Sequence, residues 1–162
     1  MTLRGIVIQL NTGTAREAGT NDALYLGISG TAGGREFPLD VAWFDDFERR
    51  SRVKYCLGKV WDEEATAGSK RPKMAHADWN DPAYFYVGFD GIDRLYLRKQ
   101  TSRSATRDDA YELDEIDVTL YADEPRKRIF RCTTGIWLGT AYGSQVWLPE
   151  VGESERSVSL RT

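Results

Sequence analysis

Ile116-Asp117-Val118-Thr119-Leu120-Tyr121 alternates apolar and other side chains one by one. Side chains of an extended chain point alternately to opposite faces, so Ile116, Val118 and Leu120 share one face while Asp117, Thr119 and Tyr121 share the other. That is the pattern of a half-buried strand. It recurs upstream at Ile6, Ile8 and Leu10, at Leu24, Leu26 and Ile28, at Phe37 and Leu39, and at Val53, Tyr55 and Leu57. Phe85, Val87 and Phe89 repeat it, as do Leu95 and Leu97, followed by Ile129–Cys132, Ile136–Leu138 and Val146–Leu148. No stretch of eleven or more residues carries a helical period. Residues 41–50 could hold one helical turn. Many short strands parted by Gly, Asp, Asn and Ser predict an all-β chain folded as an antiparallel sandwich or barrel.

Three segments read as long loops. They are residues 11–22, an insertion at about 58–83, and the polar run 99–110. Residues 1–149 form one domain in this reading, and 150–162 are a polar tail that frays or adds a weak edge strand.

The 162 residues suffice for one sizeable core, and 41% hydrophobic content with 12% aromatics excludes a disordered or fibrous chain. Twenty-two basic and 25 acidic residues give a net charge of −3, so no overall basic field draws the chain to nucleic acid. No apolar run approaches membrane-spanning length. The N-terminus lacks the form of a signal peptide, which predicts a cytoplasmic location unless a dedicated machine exports the chain.

Catalytic motifs are missing. The single histidine, His76, lies in the polar insertion without ligand spacing around it. Gly-x-Ser-x-Gly is absent. Gly30-Thr31-Ala32-Gly33-Gly34 lacks the Lys-Ser/Thr ending of a phosphate loop and reads as a hairpin connection. Cys56 and Cys132 fall inside strand patterns and are expected as buried free thiols. Paired carboxylates such as Asp45-Asp46 and Glu63-Glu64 read as solvated surface. The chain is therefore expected to bind and not to catalyse.

The first loop carries Thr12-Gly13 and then Gly19-Thr20-Asn21-Asp22 before an alternating strand. This resembles the PLAT (lipoxygenase-homology) family. Phe47-Glu48-Arg49 is similar to that family's Phe-Glu-Arg-Gly segment, with Arg50 where the family has glycine. Leu95-Tyr96-Leu97-Arg98-Lys99, Tyr111-Glu112-Leu113-Asp114-Glu115-Ile116-Asp117-Val118, and Phe130-Arg131-Cys132 with Trp137-Leu138 follow in the family's order over residues 4–149.

The resemblance implies a sandwich of two about four-stranded sheets. It also implies a module that docks on lipid, membrane or protein partners, with calcium in some members. A calcium site so implied would draw on Gly19, Thr20, Asn21 and Asp22 from the first loop and on Asp108 and Asp109 from the second. Such oxygens suit calcium. However, Lys99-Gln100 stands where the family tends to place an Asp, which lowers affinity for a dication.

Exposed aromatics at loop tips would serve membrane docking. Trp43 with Phe44, Trp61 and Trp79 are the candidates, with Lys70, Arg71 and Lys73 for anionic headgroups. Trp137 and Trp147 lie in strand patterns and are expected to be packed. The other reading is a structural adaptor in a multiprotein assembly, without lipid or calcium.

Overall fold

The computed structural model describes residues 1–31, 33–39, 41, 44, 46–61, 68–72, 80–85, 87–101, 109–123, 126–133 and 135–155. Among the described residues the strands are β1 (Gly5–Thr12), β2 (Ala23–Gly30), β3 (Gly33–Pro38), β4 (Arg52–Gly58), β5 (Ile92–Gln100), β6 (Tyr111–Tyr121), β7 (Arg126–Cys132), β8 (Ile136–Leu138), β9 (Gln145–Leu148) and β10 (Glu150–Glu155). All pair antiparallel in two sheets. The first runs β10-β7-β6-β1-β4 with β8 also on β6, and the second runs β3-β2-β5-β9.

The alternation read from the sequence decides which face is inward. Ile8 stands between Tyr55 and Val118 in the first sheet, and Leu26 between Phe37 and Leu97 in the second. All six are buried and belong to one hydrophobic core between the sheets. A polar side chain completes that core. Asp46 accepts hydrogen bonds from the Tyr55 hydroxyl at 2.6 Å and the Val41 amide at 2.7 Å, so this buried carboxylate is satisfied.

Several expectations are revised. The first sheet has six strands instead of four, because β8 and β10 join it. Residues 150–155 of the tail form β10, an edge strand laid along β7, the second of the two alternatives left open for that segment. There Arg128 donates to both Glu150 carboxylate oxygens at 2.8 Å and to the Phe89 carbonyl at 2.8 Å.

Among the described residues no strand forms at the expected Phe85–Phe89. Pro82–Phe85 is a 3-10 turn, and Gly88 makes only an isolated bridge to Thr2. Pro82 has no amide to give a ladder, which favours the turn. The cysteines are free as expected, but both are only partly buried. Arg71 donates to the Cys56 sulfur at 3.3 Å.

Trp147 is not packed either. It lies on the outer face of β9 with 50% of its surface exposed and meets the Tyr96 ring edge-on at 5.3 Å. Tyr96 in turn lies across Gly27, where a Cβ would come within 2.0 Å of the ring.

Candidate functional site

The strand register gathers four connections at one end of the sandwich. These are residues 13–22 between β1 and β2, the turn at 46–51 before β4, Thr101, Asp109 and Ala110 between β5 and β6, and the turn 139–144 between β8 and β9. Backbone bonds tie them together. The Gly13 amide donates to the Glu112 carbonyl at 2.8 Å, and the Glu112 amide to the Ala18 carbonyl at 2.9 Å. Thr20 donates to the Phe47 carbonyl at 3.0 Å, and Arg50 to the Gly13 carbonyl at 3.0 Å.

The approach of the first loop to the 46–51 turn is close enough to demand glycine. A Cβ on Gly19 would lie 2.8 Å from the Phe47 carbonyl oxygen and 2.9 Å from the Arg49 nitrogen. The turn itself is strained. Phe47 and Arg50 both adopt φ of 61°, a region that bulky side chains rarely occupy. Phe47 is held there by burial and by its edge-on contact with Tyr111 at 6.2 Å. Tyr111 shares a buried 2.8 Å hydrogen bond with Thr12, and burial pushes its phenol well above the ordinary tyrosine range.

At the centre of this end the first loop meets the second. Thr20 Oγ1 donates to the Asp109 carbonyl at 2.8 Å, and the Asn21 amide donates to the Asp109 carboxylate at 2.8 Å. Asp22 is buried, and its Oδ2 receives the Lys99 ammonium at 2.6 Å and the Asp109 amide at 3.3 Å. Thus Gly19, Thr20, Asn21, Asp22 and Asp109 do come together, whereas Asp108 lies outside the described residues. Among the described residues no group of three or more His, Cys, Asp or Glu side chains could hold a metal ion.

Above this centre is an open hollow of about 730 Å³. Its rim carries Arg16, Glu17, Glu48 and Arg49, and its wall carries Trp137 and Tyr142. The two rings stack with centroids 5.9 Å apart and a 31° tilt. Tyr142 is 62% exposed at the tip of a tight turn, where Gly139 donates to the Gly143 carbonyl at 2.9 Å and Gly143 takes φ of 94°.

The described members of the set proposed from sequence for lipid or partner docking do not share one surface. Trp61 is at the opposite end, where Nε1 donates to the Ala122 carbonyl at 3.2 Å and the ring packs on Tyr121 at 5.5 Å. Phe44 packs against the core. Lys70 adds a backbone rung to β4, exchanging bonds with Arg52 at 2.9 Å and Lys54 at 2.8 Å, and Arg71 lies beside Cys56. Trp43, Trp79, Lys73 and His76 lie outside the described residues.

The residues that sequence reasoning passed over are Tyr142, Trp137, Arg16 and Arg49. One signal for Tyr142 was legible: an aromatic inside Gly139-Thr140-Ala141-Tyr142-Gly143 sits on a turn, where nothing obliges it to be core.

No family model and no curated protein sequence matches the chain. Solved structures do. The alpha-toxin of Clostridium absonum superposes with a TM-score of 0.61 at 18% identity, over 91% of this chain and 32% of the toxin. The Clostridium perfringens alpha-toxin from an avian strain gives 0.60 at 19%, over 92% and 32%. Coral 8R-lipoxygenase, whose structure is described in terms of calcium activation via a C2-like domain, gives 0.54 at 17%, over 90% of this chain and 17% of the enzyme. This chain therefore spans about a third of the toxins and about a sixth of the lipoxygenase. At these identities the likeness establishes an antiparallel β-sandwich fold of the kind found within both, and that alone.

Proposed function

We propose that the chain is a non-catalytic, PLAT-type module that docks the loop end of its sandwich onto a phospholipid surface. The observation that carries this is the exposed Tyr142 ring, stacked on half-buried Trp137 beside a hollow lined by Arg16, Arg49, Glu17 and Glu48. Amphipathic rings favour the headgroup level of a bilayer. A rim of both signs suits a zwitterionic headgroup, whose phosphate and ammonium can each find a partner. The calcium activation via a C2-like domain described for the coral lipoxygenase supports a membrane or regulatory role for such a fold in general terms. No helix among the described residues is long and apolar enough to cross a membrane.

The test is co-sedimentation with zwitterionic and with anionic vesicles, each with calcium and with EGTA. Pelleting on zwitterionic vesicles that Tyr142→Ala weakens supports the reading. Absence of pelleting under all four conditions removes it.

A second reading, an adaptor that docks a protein, rests on a different surface. β9 ends the second sheet in the strand order, and it presents Trp147 half exposed beside Arg94. Edge strands with an exposed aromatic suit strand addition by a partner. A stoichiometric partner retained by wild type and lost on Trp147→Ala would favour it.

A further inference from the structure

We infer that the Lys99 ammonium is a built-in cation. It fills the position between the two loops that a calcium ion would take, so the loop end is joined without metal. Parity puts it there. Leu95, Leu97 and Lys99 are alternate residues of β5, all buried on its inward face, and Lys99 is the last of the three before the loop. Its side chain is 1% exposed and that of Asp22 is 3% exposed, with 2.6 Å between Nζ and Oδ2. A buried carboxylate needs a charged or hydrogen-bonding partner, and this ammonium is one.

The other donors between the loops are committed to each other. Thr20 Oγ1 and the Asn21 amide are both spent on Asp109, and the Asp109 amide is aimed at Asp22. Calcium requires six to eight oxygens at 2.3–2.6 Å. Asp22 and Asp109 supply the only described carboxylates in this network, and one of them already holds a cation. A dication would have to sit against an ammonium that is itself withdrawn from solvent, with a side chain 1% exposed. The residues present therefore do not fit calcium, and they account for the loop pairing without it. Metal would not gate this end of the domain. Whether lipid docking is calcium-independent as well depends on the lipid reading proposed above.

Melting curves and calorimetry on wild type, Lys99→Ala and Lys99→Ala/Asp22→Asn, in 10 mM CaCl2 or in EGTA, test the inference apart from any vesicle. Wild type should melt at the same temperature in both and give no heat of calcium binding. Lys99→Ala should melt below wild type in EGTA and recover in calcium, by about 5 °C or more if the vacated site binds with an affinity near 0.1 mM. The double variant should lose that recovery.

A calcium-dependent melting temperature in wild type overturns the inference. So does a Lys99→Ala protein that melts alike in calcium and EGTA, or a double variant that still recovers. If Lys99→Ala does not fold in EGTA, Lys99→Gln takes its place under the same criteria. Vesicle binding that fails while these results hold would remove the lipid reading and leave this one standing.

Discussion

Replacing Tyr142 with alanine isolates the loop-end surface, because the ring contributes to little else. A tyrosine side chain buries on the order of 200 Å² when fully covered. Tyr142 is 62% exposed in the free protein, which leaves roughly 120 Å² to be removed from water on docking. At about 25 cal/mol per Å² this area is worth about 3 kcal/mol for complete insertion, and about half that if the ring stops at the headgroups. The vesicle partition coefficient should therefore fall about 10- to 100-fold.

The assay is vesicle titration at fixed protein concentration, with thermal melting alongside. Its described ring contact is the tilted stack on Trp137 at 5.9 Å, so the stability loss should stay below about 1 kcal/mol. A well-folded variant whose partition changes less than about twofold would refute the assignment of this tip to the membrane. A large loss of stability would instead place Tyr142 among the residues that hold the turn.

Other substitutions probe the frame around that surface. Arg50→Gly should raise the melting temperature by about 1–4 °C in calorimetry, since it relieves a left-handed residue at the cost of some unfolded-state entropy; a lower melting temperature would show that the arginine side chain outweighs its backbone strain. Trp61→Ala should destabilise the fold through loss of its bond to the Ala122 carbonyl and its Tyr121 contact, yet leave vesicle partition unchanged because Trp61 is at the far end; weakened partition in a folded variant would contradict that placement.

Hydrogen bonds from Arg98 and Arg128 hold the Glu36 and Glu150 carboxyls below their ordinary value of 4.5. In this range the unfolded chain binds more protons than the folded one, so the stabilisation is intact above pH 4.5 and is lost as pH falls through the lowered values. Melting curves should show that decline on acidification, and Glu150→Gln should flatten it; an unchanged slope in the variant would mean the Arg128–Glu150 pair does not contribute.

Much of this architecture was written in period-two parity. Ile8, Leu26, Tyr55, Leu97 and Val118 all face the core as their alternation required. What escaped was of two kinds. Parity extends to polar residues, and Lys99 obeys it. Leu95 and Leu97 carry the inward face directly to an ammonium, although a lysine next to a polar loop reads locally as solvent-facing. The proposed docking surface escaped because exposure depends on what the other sheet or loop covers. Trp61 lies in a loop pattern and Trp147 in a strand pattern, yet the first packs on Tyr121 while the second stands half exposed. Phe85–Phe89 failed in the opposite sense: the alternation was present, but Pro82–Phe85 forms a 3-10 turn and Gly88 makes an isolated bridge to Thr2.

The place of β1 in the first sheet has a consequence for how the chain reaches this state. Ile8 pairs with Tyr55 on one side and Val118 on the other, so the earliest strand is flanked by partners far along the chain. Loop-closure entropy must be met before either pairing is rewarded, which slows folding. During synthesis Gly5–Thr12 can acquire its β4 neighbour early but must wait for β6, with one ladder edge open in the interval. Nascent chains ending before Tyr111 should accordingly depend on chaperones.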